Sequence, residues 1–146
     1  MKILFPLLFL VFASCHSQKK LVEKALEAKN PSFQKYLPGD GGGKGILFFV
    51  EFPHVSANIK ISQFSVNDQI LPFKLVGYKD GEKLEALCFY ENPERNPDAK
   101  NSMEEFENAP LFRAQKYSAV IQFQIDGQSD TIQVNSFKEL EIQMYP

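Results

Sequence analysis

Apolar residues in this chain recur at alternate positions more than at helical spacing, and the alternation is clearest between Tyr117 and Val134. Tyr117, Ala119, Ile121, Phe123 and Ile125 share one face of an extended segment while Ser118, Gln122 and Gln124 take the other, the period of a half-buried strand. Asp126-Gly127 supplies the two positive φ angles of a type I′ turn, and Thr131, Ile132 and Val134 lie on the returning strand. Upstream, Ile46 to Phe52 is apolar on both faces, which predicts a central strand. From Asn58 to Val66 the pattern changes phase, Ile59 and Ile61 against Phe64 and Val66, so a bulge is expected near Ser62-Gln63. Asn67-Asp68 turns the chain into Gln69 to Tyr78, Asp80-Gly81 makes the next tight turn, and Lys83 to Tyr90 returns. Glu139 to Tyr145 ends the pattern with Leu140, Ile142 and Met144 on one face. The fold class is therefore all-β: an antiparallel β-sandwich of immunoglobulin-like character with about seven strands, an open barrel being the alternative.

Two segments break the alternation. Lys19 to Lys29 sets Leu21, Val22, Ala25 and Leu26 on one helical face before Asn30-Pro31, which predicts a short helix. From Glu91 to Lys116 there is no strand period; Asn92-Pro93 and Asn96-Pro97 are turns, and Ser102-Met103-Glu104-Glu105 is a capping box that opens a short helix through Glu107. Loops of this length often carry contacts, and Phe106, Leu111 and Phe112 stand here among charged residues, so they are candidate partner-binding positions. Tyr78 and Tyr90 are the corresponding candidates on the sheet face. The Gly-rich stretch around Gly41-Gly42-Gly43-Lys44 is no phosphate loop, because Gly45 and a strand follow the lysine where Ser or Thr and a helix are needed.

Met1-Lys2 precedes an apolar run from Ile3 to Phe12, and Ala13-Ser14-Cys15 ends it in small residues. About ten residues is too short for a membrane span, which takes roughly 20, and has the layout of a secretory signal. Phe12-Ala13-Ser14-Cys15 resembles the lipobox of bacterial lipoproteins. The resemblance implies cleavage before Cys15, its lipidation, and a membrane partner reached through that lipid; two or three acyl chains hold durably, since each buried CH₂ contributes about 0.8 kcal/mol. An ordinary signal cut near Ala13 is the other reading. His16 is not the Asp that retains lipoproteins at the inner membrane, and Gln18-Lys19-Lys20 lacks the acidic residues of surface-exported ones, so the resemblance implies the outer membrane, periplasmic face. With Phe64 to Pro72 and the ending Phe137-Lys138-Glu139-Leu140 through Tyr145-Pro146, the chain resembles small uncharacterised lipoproteins of Bacteroidetes type, a lipobox followed by a single β-sandwich-like domain. That division is 1–14 signal peptide, 15–40 lipidated tether with a short helix, and 41–146 sandwich.

Charge and chemistry then narrow the function. The net charge is −2 and removal of the signal takes Lys2 but no acid, so nothing draws the chain to nucleic acid. With Cys15 acylated, Cys88 has no cysteine partner, and its strand-like neighbours predict a buried inert thiol. His54 is the only histidine of the folded region, no nucleophile elbow accompanies it, and no metal-ligand spacing or calcium loop occurs, so no catalytic residue, metal or cofactor is expected. The reading is a non-catalytic cell-envelope lipoprotein that presents its sandwich to a protein or glycan partner. A structural or assembly factor of the outer membrane is the alternative, with a hydrolase-type enzyme behind both. Cys15→Ser should abolish metabolic labelling with a palmitate analogue and release the protein from the membrane fraction. Persistent labelling would place the attachment elsewhere.

Overall fold

The computed structural model describes residues 26–38, 44–90 and 110–145. In chain order these form β1 (Lys29–Pro38), β2 (Lys44–Phe52), β3 (Ile59–Val66), β4 (Gln69–Leu71), β5 (Phe73–Tyr78), β6 (Gly81–Tyr90), one helical turn α1 (Pro110–Arg113), β7 (Ala119–Ile125), β8 (Gln128–Val134), β9 (Lys138–Glu139) and β10 (Gln143–Tyr145). One sheet runs β10-β1-β2-β6-β5 with β9 also beside β1, and the other runs β4-β3-β7-β8. Lettered A to G along the chain, these are A-B-E-D and, with a short C′, C′-C-F-G: two packed sheets in the immunoglobulin-type order, not an open barrel. Phe48, Val50, Phe52 and Leu84 of the first sheet are 0% exposed, as are Phe64, Ile121 and Phe123 of the second. Apart from the Tyr117 hydroxyl and the Cys88 thiol, no polar or charged side chain is buried among the described residues.

Tyr117 ties the layers together. Its ring meets Phe33 at 4.7 Å and Phe48 at 5.1 Å, both edge-on. Its hydroxyl donates a buried 2.8 Å hydrogen bond to the Leu111 carbonyl oxygen at α1. This is a tyrosine corner: a tyrosine just before strand F that pins the E–F crossover to the sandwich.

Several expected features stand where the pattern put them. The turn residues Asn67, Asp68, Asp126 and Gly127 all have positive φ, and the β3–β7 register slips between Ile61 and Gln63, at the expected bulge. Cys88 is buried and without a disulfide, and burial pushes its thiol up, away from the reactive thiolate.

Other expectations need correction. Lys29–Pro38 is a strand in the first sheet and Leu26 is 1% exposed, so the boundary at 40/41 falls between two paired strands and the body begins by Leu26. Asn30-Pro31 marks a bulge rather than a helix end: Asn30 has φ 47°, the register with β2 shifts between Lys29 and Ser32, and the Asn30 amide donates to Glu51 at 2.7 Å. The expected strand Gln69–Tyr78 breaks at Pro72, which lacks a ladder donor, and its halves enter different sheets. The D–E turn is Lys79-Asp80, with Lys79 at φ 53°, one residue before the expected Asp80-Gly81. Gly81 serves close approach instead: a Cβ there would stand 2.1 Å from the Phe52 carbonyl oxygen. The C-terminal strand is two short pieces parallel to β1, and Leu140 and Ile142 are 36% and 52% exposed, with no layer over them among the described residues. The ten strands exceed seven through β1 and these two breaks. The crossover helix within the described residues is α1; Ser102–Glu107, like most of the expected Lys19–Lys29 helix, lies outside them.

Tyr117→Phe keeps the ring packing and strands the Leu111 carbonyl, so it should cost about 1–3 kcal/mol, read as a lower chemical-denaturation midpoint at unchanged m-value. A midpoint equal to wild type would show that the corner does not bear on stability.

Candidate functional site

Of the residues singled out in the sequence, Leu111 is not a contact surface. It is 0% exposed, because the single turn of α1 points it into the core while its carbonyl accepts from Tyr117. Phe112 is half-buried against the core. Tyr78 closes β5 and is half-buried at the sheet margin. Tyr90 ends β6 opposite Lys44, far along the sheet from Tyr78; its side chain, Phe106 and Cys15 lie outside the described residues. Among the described residues, then, Leu111 is core, Phe112 packs against it, and Tyr78 stands at a sheet margin.

What the fold assembles is the β5 side of the first sheet. In β2 the inward residues Ile46, Phe48, Val50 and Phe52 fill the core, which leaves Leu47, Phe49 and Glu51 on the outer face. The register sets Leu47 beside Leu87 of β6 and Phe49 beside Glu85; Glu85 is opposite Lys74 of β5, and Lys83 is opposite Val76. Leu87 and Val76 are 43% and 37% exposed, and no layer covers this face among the described residues. The two apolar faces of Ile46–Phe52 thus have different fates: one is core, and among the described residues the other is shielded only by neighbours on the same sheet.

Charges on this face are organised around Glu85. Its carboxylate meets the Lys83 ammonium at 2.9 Å and the Lys74 ammonium at 3.1 Å. The hydrogen bond from Lys83 is the main cause that holds the carboxyl below its usual range; partial burial opposes it and Lys74 adds to it. Lys83 also lies 5.1 Å from the Phe49 ring centroid and 5.4 Å from that of Tyr78, and Lys79 lies 4.9 Å from Tyr78. The Tyr78 ring is thus already attended by two cations.

The margin itself is open. Among the described residues β5 pairs with β6 alone, so one side of its backbone has no ladder partner there. The other margins are defended: β4 has three residues and adjoins Pro72, β8 exposes Gln128, Ser129, Asp130 and Thr131, and β1 is covered by β9 and β10. β5 instead presents Leu75, Val76 and Gly77 in succession. Behind it, β4 covers only Phe64–Val66 of β3, leaving a groove of about 460 Å³ in which Val55, Ile61 and Leu75 stand among Lys60, Asp80 and Glu82. Together these features suit addition of an extended strand: main-chain donors and acceptors along the edge, a face of mixed apolar and charged side chains on one side and a groove of mixed lining on the other.

A second hollow of about 290 Å³ lies at Pro53, His54, Tyr78 and Lys79. His54 there is exposed, and the described residues contain no cluster of three or more metal-capable groups. No protein-family model matches the chain, and no curated protein matches it.

Because Glu85 has a folded pKa below its usual 4.5, its contribution is present above that value and is lost as pH falls through the lower folded value. Glu85→Gln should therefore be less stable than wild type at neutral pH, with the gap closing below about pH 4, as read by denaturation midpoints across pH. A gap constant with pH would mean that Glu85 acts through packing, not charge.

Proposed function

We propose that this protein is a non-catalytic envelope lipoprotein, held through Cys15 at the periplasmic face of the outer membrane, whose sandwich binds a protein partner by strand addition at β5. The observation that carries the reading is the open edge: its unpaired backbone groups adjoin Leu75, Val76 and Gly77, while the other strand margins among the described residues are short, polar or covered. A polypeptide supplies the matching ladder groups and a glycan does not. The two ammonium groups at Tyr78 and the absence of tryptophan also leave poor stacking platforms for sugar rings.

The anchor bears on geometry. Cys15 precedes Leu26 by a tether of ten intervening residues, which reach at most about 35 Å when extended. Lys29 pairs with Glu51, so the body is tethered from the end that carries the 53–58 loop and the Lys79-Asp80 turn, which is also the Tyr78 end of β5.

A photo-crosslinking residue at position 76 of the full-length, membrane-bound chain should give protein adducts in intact envelope, and the same residue at exposed position 133 of β8 should not. Absence of adducts at 76, or equal yields at both positions, would sink the reading.

A further inference from the structure

We propose that the polypeptide taken up at the β5 edge is a second copy of this chain, paired antiparallel about a two-fold axis through Leu75. This rests on the reading of β5 as the binding edge and names its occupant.

Tyr78 and Gly81 flank the two-residue turn and so form a hydrogen-bonded pair. Alternation along the ladder then turns the N–H and C=O groups of Phe73, Leu75 and Gly77 away from β6. Self-pairing satisfies these groups only in registers that oppose odd-numbered residues to odd-numbered ones. Centring on Leu75 sets Leu75 against its symmetry mate and Phe73 against Gly77 of the second copy, so all three outward residues of each strand find partners.

The side chains fit the same register. Nothing lies within 4 Å of where a Cβ on Gly77 would stand, which leaves room across from the large Phe73 ring. Leu75, 39% exposed in the single copy, gains an apolar neighbour and closes the mouth of the groove over Val55 and Ile61. On the outer face Lys74 stands opposite Val76 of the second copy, so no like charges oppose each other. Centring on Val76 instead brings Lys74 against Tyr78 of the second copy, where two ammonium groups already sit at 4.9 and 5.4 Å, and leaves Phe73 opposite the turn residue Lys79. The Leu75 centre is therefore the favoured one. Its axis is perpendicular to the sheet, so two copies share one membrane only with their strands lying along its surface.

The Cα atoms of a hydrogen-bonded antiparallel pair lie about 5.5 Å apart, within disulfide range. Full-length chain carrying Leu75→Cys, oxidised mildly in intact envelope, should run at twice the monomer mass on a non-reducing gel and return to monomer with reductant. Ile70→Cys, 63% exposed on β4, should give at most a tenth of that dimer. Leu75→Lys places like charges on the axis and should abolish the dimer that chemical crosslinking detects in wild type, while the far-ultraviolet circular dichroism of the folded chain stays that of wild type. Equal yields from Leu75→Cys and Ile70→Cys overturn the proposal. A Leu75→Cys adduct to a different polypeptide, or no dimer while photo-crosslinking at position 76 still yields adducts, also overturns it and leaves strand addition at β5 standing; no dimer and no photo-adduct removes both.

Discussion

A single buried hydroxyl decides how the two sheets and the crossover between them meet. Tyr117 places its ring against Phe33 and Phe48 of the first sheet, and its chain position opens β7 of the second. The hydrogen bond to Leu111 then fixes where the crossover re-enters the body. In an otherwise apolar interior this bond is strong and its loss costly, because the stranded carbonyl would have no water to turn to. Burial raises the phenol's pKa, and Glu139 and Cys88 add to the effect, so the group stays a proton donor throughout the physiological range. Leu111 has its place in the core because this bond holds α1 down.

The strands that alternate cleanly were legible from residue pattern alone. The Tyr117–Val134 hairpin, its Asp126-Gly127 turn and the bulge beside Ser62 each follow from side-chain period and backbone sterics, which are local properties. What escaped was non-local. Lys29–Pro38 has few apolar residues, and Phe33 alone among them with described side chains is buried, so nothing in its own pattern distinguishes it from a tether. Its strand state comes from β2 on one side and the C-terminal residues on the other. The Gln69–Tyr78 run kept one phase across Pro72, yet the proline divides it between sheets. Asp80-Gly81 was a turn signal with the correct residues and the wrong cause: glycine is required where the Phe52 carbonyl crosses it, and the positive φ falls on Lys79.

The candidate site was less visible for a related reason. An apolar residue on an outer face and one in the core look alike in sequence: Leu47 and Phe49 marked β2 as central, which it is, between β1 and β6, but did not tell which of its faces is core. Leu111 erred in the opposite direction, since an irregular, charged segment hid a residue that is wholly enclosed. Whether a strand is an edge depends on topology, and β5 acquires its open margin only because the chain leaves the second sheet at Pro72 and ends up beyond β6. Lys74 and Lys83, spaced as ordinary solvent-facing residues, become partners of Glu85 through cross-strand register.

The clasp on β1 carries a consequence for how the chain is made. The Gln34 side chain donates to the Glu141 carbonyl oxygen across 107 residues of sequence, and Lys35 pairs with Glu139 at 3.2 Å. A polypeptide that emerges amino-terminus first produces β1 about a hundred residues before the segment that covers it. Through synthesis and any passage across a membrane, that strand can pair with β2 while its other side waits. Such long-range closure is slow, and exposed strand edges in partly folded chains invite mispairing. Chains interrupted before Lys138 would keep that side bare for good, so the closed clasp distinguishes molecules that carry the β9 and β10 segment from shorter fragments.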